Sequence, residues 1–252
     1  MKSANMDYIN KETTEFLGLP FVFGDSDYRG LFTESESVQV SLILYPEWDK
    51  WIKAMFQVSF ATWHNEFGTN IDVVPDYKRE ELVLNFLKKR PVSAVLESAI
   101  FVFRIDGLSR AMTHQIVRHR GMAFNQQSLR VTPCHLSGIR MPKGLDEEDK
   151  ADLEELFKKV TDKYLDLIDS GVPIEQARNV MPMGTLTNIV MVSNLKVLIG
   201  YLKARTLDIA QDEHTYIALL IANELRSKCP EFYTNFVKND RIEKLFGVYG
   251  IC

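Results

Sequence analysis

The sequence predicts an α+β fold: a helix-rich single domain built around a mixed or antiparallel sheet. Three observations carry this. The runs SVQVSLILYP (37–46) and AIFVFRIDG (99–107) are short, apolar and rich in β-branched or aromatic residues, the composition of strands. Longer segments space their apolar residues at i, i+3, i+4 and i+7, the period of a helix with one buried face. Neither GxGxxG nor GxxxxGK(S/T) occurs, so the doubly wound and P-loop nucleotide folds have no support.

The elements follow in order. Residues 1–37 are mixed: FLGLPFVFG is apolar but broken by Gly and Pro, and DSDYRGLFTESES is polar and turn-rich. They are read as an N-terminal extension packed on the body, with residues 38–252 forming the main domain. After the first strand, Pro46 opens a helix over 46–63, in which Trp48, Trp51, Met55 and Phe56 recur at helical intervals. A second amphipathic helix covers 78–90, with Leu82, Leu84, Phe86 and Leu87 facing inward. The strand at 99–107 leads into a helix over 108–120, striped by Ala111, Met112, Ile116 and His119 and stopped by Gly121. RHRGMAFNQQSLR (118–130) therefore starts in the last turn of a helix and runs on as a loop to Pro133.

The clearest helix is 146–171. Leu153, Leu156, Phe157, Val160, Tyr164, Leu167 and Ile168 keep the helical rhythm, Asp146 is placed to cap, acids fill the first turn, and Gly171 closes the end. A short helix opens at Pro173. Residues 185–205 read as a strand running into a helix. Residues 208–229 read as a long amphipathic helix stopped by Pro230.

Composition narrows the function classes. The 252 residues are 46% apolar and 25% charged, ordinary for a soluble globular protein with a sizeable core. A formal charge of −4 gives the surface no general attraction for nucleic acid, so an anion must be held by a local cluster. Cys134, Cys229 and Cys252 are odd in number and form no CxxC pair, against a disulfide framework or a cysteine zinc site; reduced thiols fit a cytosolic protein. His64, His114, His119, His135 and His214 show neither HxxxH nor HxH spacing, so no metal site is expected. A nucleophilic Cys134 is disfavoured, because an adjacent His135 rarely orients as its base. Neither a leader nor an anchor is expected at the N-terminus, and no apolar run reaches the roughly 18 residues of a membrane span.

One stretch stands apart. RHRGMAFNQQSLR concentrates three arginines, a histidine, an asparagine, two glutamines and a serine around Gly121, without an acid. Guanidinium forks match phosphate and carboxylate, and lie flat on aromatic rings. At a helix end, residues two apart point to different sides, so Arg118 and Arg120 serve either two ligands or one ligand and the backbone. Ser128 and the loop N–H groups are suited to completing a phosphate cradle. The plainer reading is a salt-bridged helix end, with cations against the carbonyl-end dipole. Further on, QARNVMP (176–182) places Arg178 on a short helix. SNLKVLIGYLKART (193–206) sets Asn194, Lys196 and Arg205 as polar points on an apolar helix; Asn194 and Arg205, eleven apart, share a face. Polar groups on a buried helix need partners, which a ligand or a subunit interface would supply.

Arg-His-Arg, seven residues, then Ser resembles the signature of the flavin-dependent thymidylate synthases: here Arg118, His119, Arg120 and Ser128, followed by Arg130. ESAIFVFRIDGLSRAMTHQIVRHR resembles the strand and helix that lead into the motif. ARNVMP, NLKVLIGYLKAR and AQDE occur in the family's order at similar spacing, so the resemblance covers residues 45–232. It implies a compact fold assembled as a homotetramer with active sites where subunits meet, so Arg118 and Arg178 need not act from one chain. It implies FAD held by Glu97, Arg118, His119, Arg120, Asn194 and Lys196, and a nucleotide held by Gln115, Arg118, Gln126, Ser128, Arg130, Arg178 and Arg205. The implied reaction is reductive methylation of dUMP to dTMP: methylenetetrahydrofolate gives the carbon, NADPH reduces the flavin, and no enzyme thiol takes part. Arg205 and Ser128 carry the implied catalytic roles, Arg205 by stabilising charge on the pyrimidine carbonyls. Ser128, Arg130 and Arg178 supply donors to the phosphate dianion. Neither nucleic acid nor membrane is an implied partner, and the implied location is the cytoplasm, or a host's cytoplasm for a phage protein.

Several positions depart from the family's usual pattern. Ala123 stands where Ser is common, Gln126 where Glu is usual, Val131 where Tyr is expected, and Ser98 where His often follows Glu97; Gly200 and Lys196 replace a usual Asn and Arg. Gln126 weighs most, since an amide changes both charge and donor pattern. It motivates an alternative: a relative that modifies C5 of another pyrimidine nucleotide, by acting on dCMP or by hydroxymethylation. A third reading, a non-catalytic binding protein on the same fold, predicts a colourless preparation.

Overall fold

The computed structural model describes residues 38–63, 74–89, 93–132, 138–142 and 144–251. The chain divides into Met1–Leu31 and Phe32–Cys252. The extension expected at 1–37 lies outside the described residues, as do His64, Cys134, His135 and Cys252.

The strands are β1 (Gln39–Leu44), β2 (Ile100–Ser109), β3 (Ala123–Gln126) and β4 (Leu186–Asn194). They form one sheet in the order β1-β2-β4-β3, antiparallel at every pairing. At its centre Phe103 faces Met191 and Ile105 faces Ile189. Alternate side chains of a strand point to one face, and on that face Phe101, Phe103, Ile105, Ile189 and Met191 are all buried.

The helices are α1 (Trp48–Trp63), α2 (Asp76–Lys89), α3 (Ser93–Glu97), α4 (Arg110–Ile116), α5 (Glu147–Asp169), α6 (Ile174–Ala177), α7 (Leu195–Arg205), α8 (Asp212–Lys228), α9 (Pro230–Phe232) and α10 (Asp240–Tyr249), with a 3₁₀ turn at Arg178–Val180 and a π turn at Tyr233–Val237. Trp51, Met55 and Phe56 of α1 are buried as expected. They join Leu198, Tyr201 and Leu202 of α7, and Ile217, Leu219, Ile221 and Leu225 of α8, in one core. Edge strand β1 is tied to α8: the Leu42 amide donates to the Glu224 carboxylate at 2.7 Å, and Lys228 donates to the Leu42 carbonyl at 3.1 Å. A smaller core joins Leu129, Tyr164 and Ala177. No helix among the described residues is long and apolar enough to cross a membrane.

Several expectations are corrected. The inward stripe of α2 is Arg79, Val83 and Leu87, flanked by Phe86; Leu82 is 46% exposed. Leu82 and Leu84 sit about a quarter-turn to either side of that stripe. Leu156 of α5 is exposed for the same reason. Asp146 does cap α5, accepting from the Asp149 amide at 2.8 Å. A turn over Leu207–Ala210 delays α8 to Asp212.

The largest correction falls on 108–130. The helix expected to reach residue 120 ends at Ile116. The Arg118 and His119 amides bond to the carbonyls three residues back, Gln115 and Ile116, so the chain tightens out of the α form. Gly121, at φ +89°, completes the reversal. A Cβ there would meet Val197 Cγ2 at 3.0 Å, so the turn lies against α7. The expected loop then becomes β3, pairing Ala123 with Val192 and Gln126 with Ile189.

Candidate functional site

β4 passes directly into α7, and Asn194 makes the junction: its side-chain oxygen accepts from the Val197 amide at 2.9 Å. From there Val197, Tyr201 and Arg205 recur at i, i+4 and i+8, one face of α7, and all three meet the 118–121 turn. Arg205 Nε donates to His119 Nε2 at 2.7 Å. Arginine stays protonated, so Nε2 carries no hydrogen and a neutral His119 holds its proton on Nδ1. The imidazole stands edge-on to Tyr201 (centroids 4.9 Å, 84°) and to His214 of α8 (5.8 Å, 90°).

Burial, then the Arg205 charge, lowers the His119 pKa from its usual value. Burial, then Arg205, then His119, pushes His214 down to about 3. Burial raises the Tyr201 phenol, against an opposing pull from Arg205. Among the described residues, the terminal nitrogens of Arg205 and the guanidinium groups of Arg118 and Arg120 have no hydrogen-bond or ion-pair partner. Arg118 and Arg120 are exposed; they stand in the turn past α4, not on a helix end.

A second group forms around Glu175. The Arg130 amide donates to Ser128 Oγ at 3.3 Å, and Leu129, buried in the smaller core, pins this turn against Tyr164 and Ala177. Arg130 pairs with the Glu175 carboxylate at 3.3 Å, while Arg178 Nε donates to the Glu175 carbonyl at 3.1 Å. Arg130 and Arg178 thus meet at one residue that sequence reasoning did not single out, and Ser128 joins them only through the Arg130 amide. Arg178 stands at the C-cap of α6, one residue past its end.

Gln126 Nε2 donates to Thr113 Oγ1 at 3.2 Å, and the Thr113 hydroxyl donates to the Arg110 carbonyl at 2.8 Å. Gln115 Nε2 donates to Gln211 Oε1. Gln211 also lines a cavity of about 650 Å³ with Ser109, Arg140, Glu213, Tyr216 and Tyr249.

The shared polar face expected for Asn194 and Arg205 has a local explanation at one end, since Asn194 caps its own helix. Lys196 pairs with Glu97 at 2.8 Å, each about half exposed. The Ser98 hydroxyl accepts from Trp51 Nε1 at 3.0 Å and donates to the Val95 carbonyl at 2.7 Å. Sequence reasoning also missed Tyr201 and His214. Both read as residues of amphipathic helices; Tyr201 reaches His119 because the turn lies against α7, and His214 because α8 packs there too. No cluster of His, Cys, Asp and Glu suited to a metal occurs among the described residues.

The model of one protein family, described as thymidylate synthase complementing protein, matches residues 41–231. The flavin-dependent thymidylate synthase of Sulfurisphaera tokodaii is 31% identical over 161 residues, 59% of this chain and 63% of that protein. That of Saccharolobus solfataricus is 31% identical over 174 residues, 63% of this chain and 67% of that protein. That of Geobacter sulfurreducens is 34% identical over 144 residues, 56% and 62% of the two chains. The match to the first and third therefore spans less than two thirds of their length. A crystal structure of thymidylate synthase X from Helicobacter pylori, with FAD and dUMP, shares the fold at TM-score 0.59 and 18% identity, over 81% of this chain and 100% of that one.

Proposed function

As the chain belongs to the thymidylate synthase complementing protein family, we propose that it is a flavin-dependent thymidylate synthase, converting dUMP to dTMP by reductive methylation. The observation that carries this is the His119–Arg205 bond, with the guanidinium groups of its chain neighbours Arg118 and Arg120 left without partners among the described residues.

That arrangement fits FAD and a nucleotide monophosphate. Two exposed guanidinium groups without counter-ions suit the cofactor's diphosphate, and the Nδ1–H of His119 suits a ring carbonyl. Asn194, Glu97 and Lys196 complete the proposed cofactor set at the start of α7. When bound, the cofactor supplies redox chemistry: reduced by NADPH, it provides the hydride, and methylenetetrahydrofolate provides the carbon.

The protein's own residues bind and polarise. Ser128, Arg130 and Arg178 hold the phosphate, with Glu175 keeping the two guanidinium groups together until it arrives. Arg205, anchored through Nε, directs its terminal nitrogens at the pyrimidine carbonyls, where charge develops. Gln115 and Gln126 orient the base. The proposal extends to a homotetramer in the cytoplasm, with sites shared between subunits.

The test is turnover. Full-length protein with dUMP, methylenetetrahydrofolate, NADPH and FAD should be yellow and should yield dTMP by mass. A hydroxymethylated product, or turnover of dCMP in place of dUMP, would establish the alternative. A colourless protein that takes up no flavin would remove the reading.

A further inference from the structure

Tyr201 and His214 stand behind the Arg-His-Arg turn, and the proposed reaction gives them no part. His214 is 0% exposed, and neither of its ring nitrogens has a hydrogen-bond partner among the described residues. The Tyr201 hydroxyl, on a side chain 1% exposed, has none either. The two rings lie 5.5 Å apart at 47°, and each meets His119 edge-on. Edge-to-face contact at these separations is a favoured aromatic geometry.

We propose that Tyr201 and His214 are positioning residues: they form an uncharged aromatic seat that fixes the His119 ring with Nε2 toward Arg205 and Nδ1–H toward the bound flavin. This rests on the family reading of the site. It adds two residues that touch neither cofactor nor substrate.

The surroundings of His119 argue for a single protonation state. From α7 it faces Arg205 and Tyr201, from α8 it faces His214, and its own turn brings Arg118 and Arg120. None of these is an acid. Protonating His119 would place a cation against Arg205 and put a hydrogen on the nitrogen that accepts the Arg205 bond. His214 is a poor alternative home for the charge, because it is buried and neither ring nitrogen has a hydrogen-bond partner among the described residues to stabilise it. The seat therefore keeps the ring a hydrogen-bond donor, not an acid, and keeps Arg205 tethered at Nε with its fork free.

The test uses the full chain with ¹⁵N-labelled histidine, His119 being assigned by the signal lost in His119→Gln. The expected spectrum shows Nδ1 protonated and Nε2 bare, unchanged between about pH 5 and pH 8, the range in which an ordinary histidine titrates. His214→Phe and Tyr201→Phe keep flat rings and should preserve it. His214→Ala should open the seat, let His119 titrate within that range, and weaken flavin binding about tenfold, the worth of one hydrogen bond. An Nε2–H tautomer, or an ordinary titration in the unaltered protein, overturns the proposal without need of any variant. So does a His214→Phe protein that behaves like His214→Ala. If His119 shows the expected tautomer but the protein takes up no flavin, the seat stands and the flavin half of the assignment falls.

Discussion

Arg130 lies 3.3 Å from a carboxylate oxygen of Glu175, and the same glutamate offers its backbone carbonyl to Arg178. The ion pair is weak, since its side chains are 65% and 46% exposed and such pairs contribute about 0–1 kcal/mol. A phosphate dianion is a stronger partner for both guanidinium groups. Arg178→Ala should therefore lower dUMP affinity by about 1.5–3 kcal/mol, the range for a hydrogen bond to a charged group, with flavin content near normal. Glu175→Ala should leave stability within about 1 kcal/mol of the parent. Calorimetric titration with dUMP reads the first and denaturant unfolding the second. Unchanged dUMP binding in Arg178→Ala would remove that residue from the phosphate site.

His214 makes the protein acid-sensitive. Its pKa is pushed down to about 3 in the fold, against about 6.5 in an unfolded chain. Between those values the unfolded state binds the additional proton. Stability conferred by the neutral ring is complete above about pH 6.5 and falls as the pH drops toward 3, by about 1.4 kcal/mol per pH unit. Thermal midpoints measured from neutral pH downward should fall more steeply for the parent than for His214→Phe. Parallel curves would show that His214 is not the group responsible.

How much of this was legible in the sequence depends on where the determining contact lies. α5 was readable to within a residue or two because Asp146 caps it locally and its apolar rhythm is long. β3 was not, because AFNQ is four residues long with one large apolar side chain; it is a strand only because β4 pairs with it. The end of α4 was misplaced for the same reason: β3 must begin at Ala123, so the chain has to reverse after Val117. In the site, the Arg-His-Arg turn announced itself by composition and spacing. Glu175, Tyr201 and His214 did not, since each takes its role from a contact made across the fold.

Gly121 is the point where that reversal depends on one residue. Its φ of +89° is strained for any side chain, and an added Cβ would sit 3.0 Å from Val197 Cγ2. Gly121→Ala should cost about 1–3 kcal/mol, the usual cost of a disfavoured backbone conformation. Adding Val197→Ala should relieve the contact but not the backbone, so the double variant should recover only part of the loss. Full recovery would mean that the contact alone was responsible. The turn carries His119, so a shifted ¹⁵N signal for that residue should accompany the loss.

Gln126 and Thr113 form a matched donor and acceptor. The Thr113 hydroxyl gives its hydrogen to the Arg110 carbonyl at 2.8 Å, leaving its oxygen to accept, and Gln126 Nε2 supplies the donor at 3.2 Å. An ionised carboxylate at 126 has only acceptors. Gln126→Glu therefore sets two acceptors face to face, or makes Thr113 abandon Arg110; either loses a bond and leaves a half-buried polar group unpaired, worth about 1–3 kcal/mol. A protonated glutamic acid could still donate to Thr113, so the fold should raise its pKa, and the loss should grow as pH rises through that raised value. In a Thr113→Val background the acceptor is gone, and the change from Gln to Glu should cost markedly less. A double-mutant cycle at neutral pH with near-zero coupling would show that the amide is not held by Thr113, and that its presence in this chain has another cause.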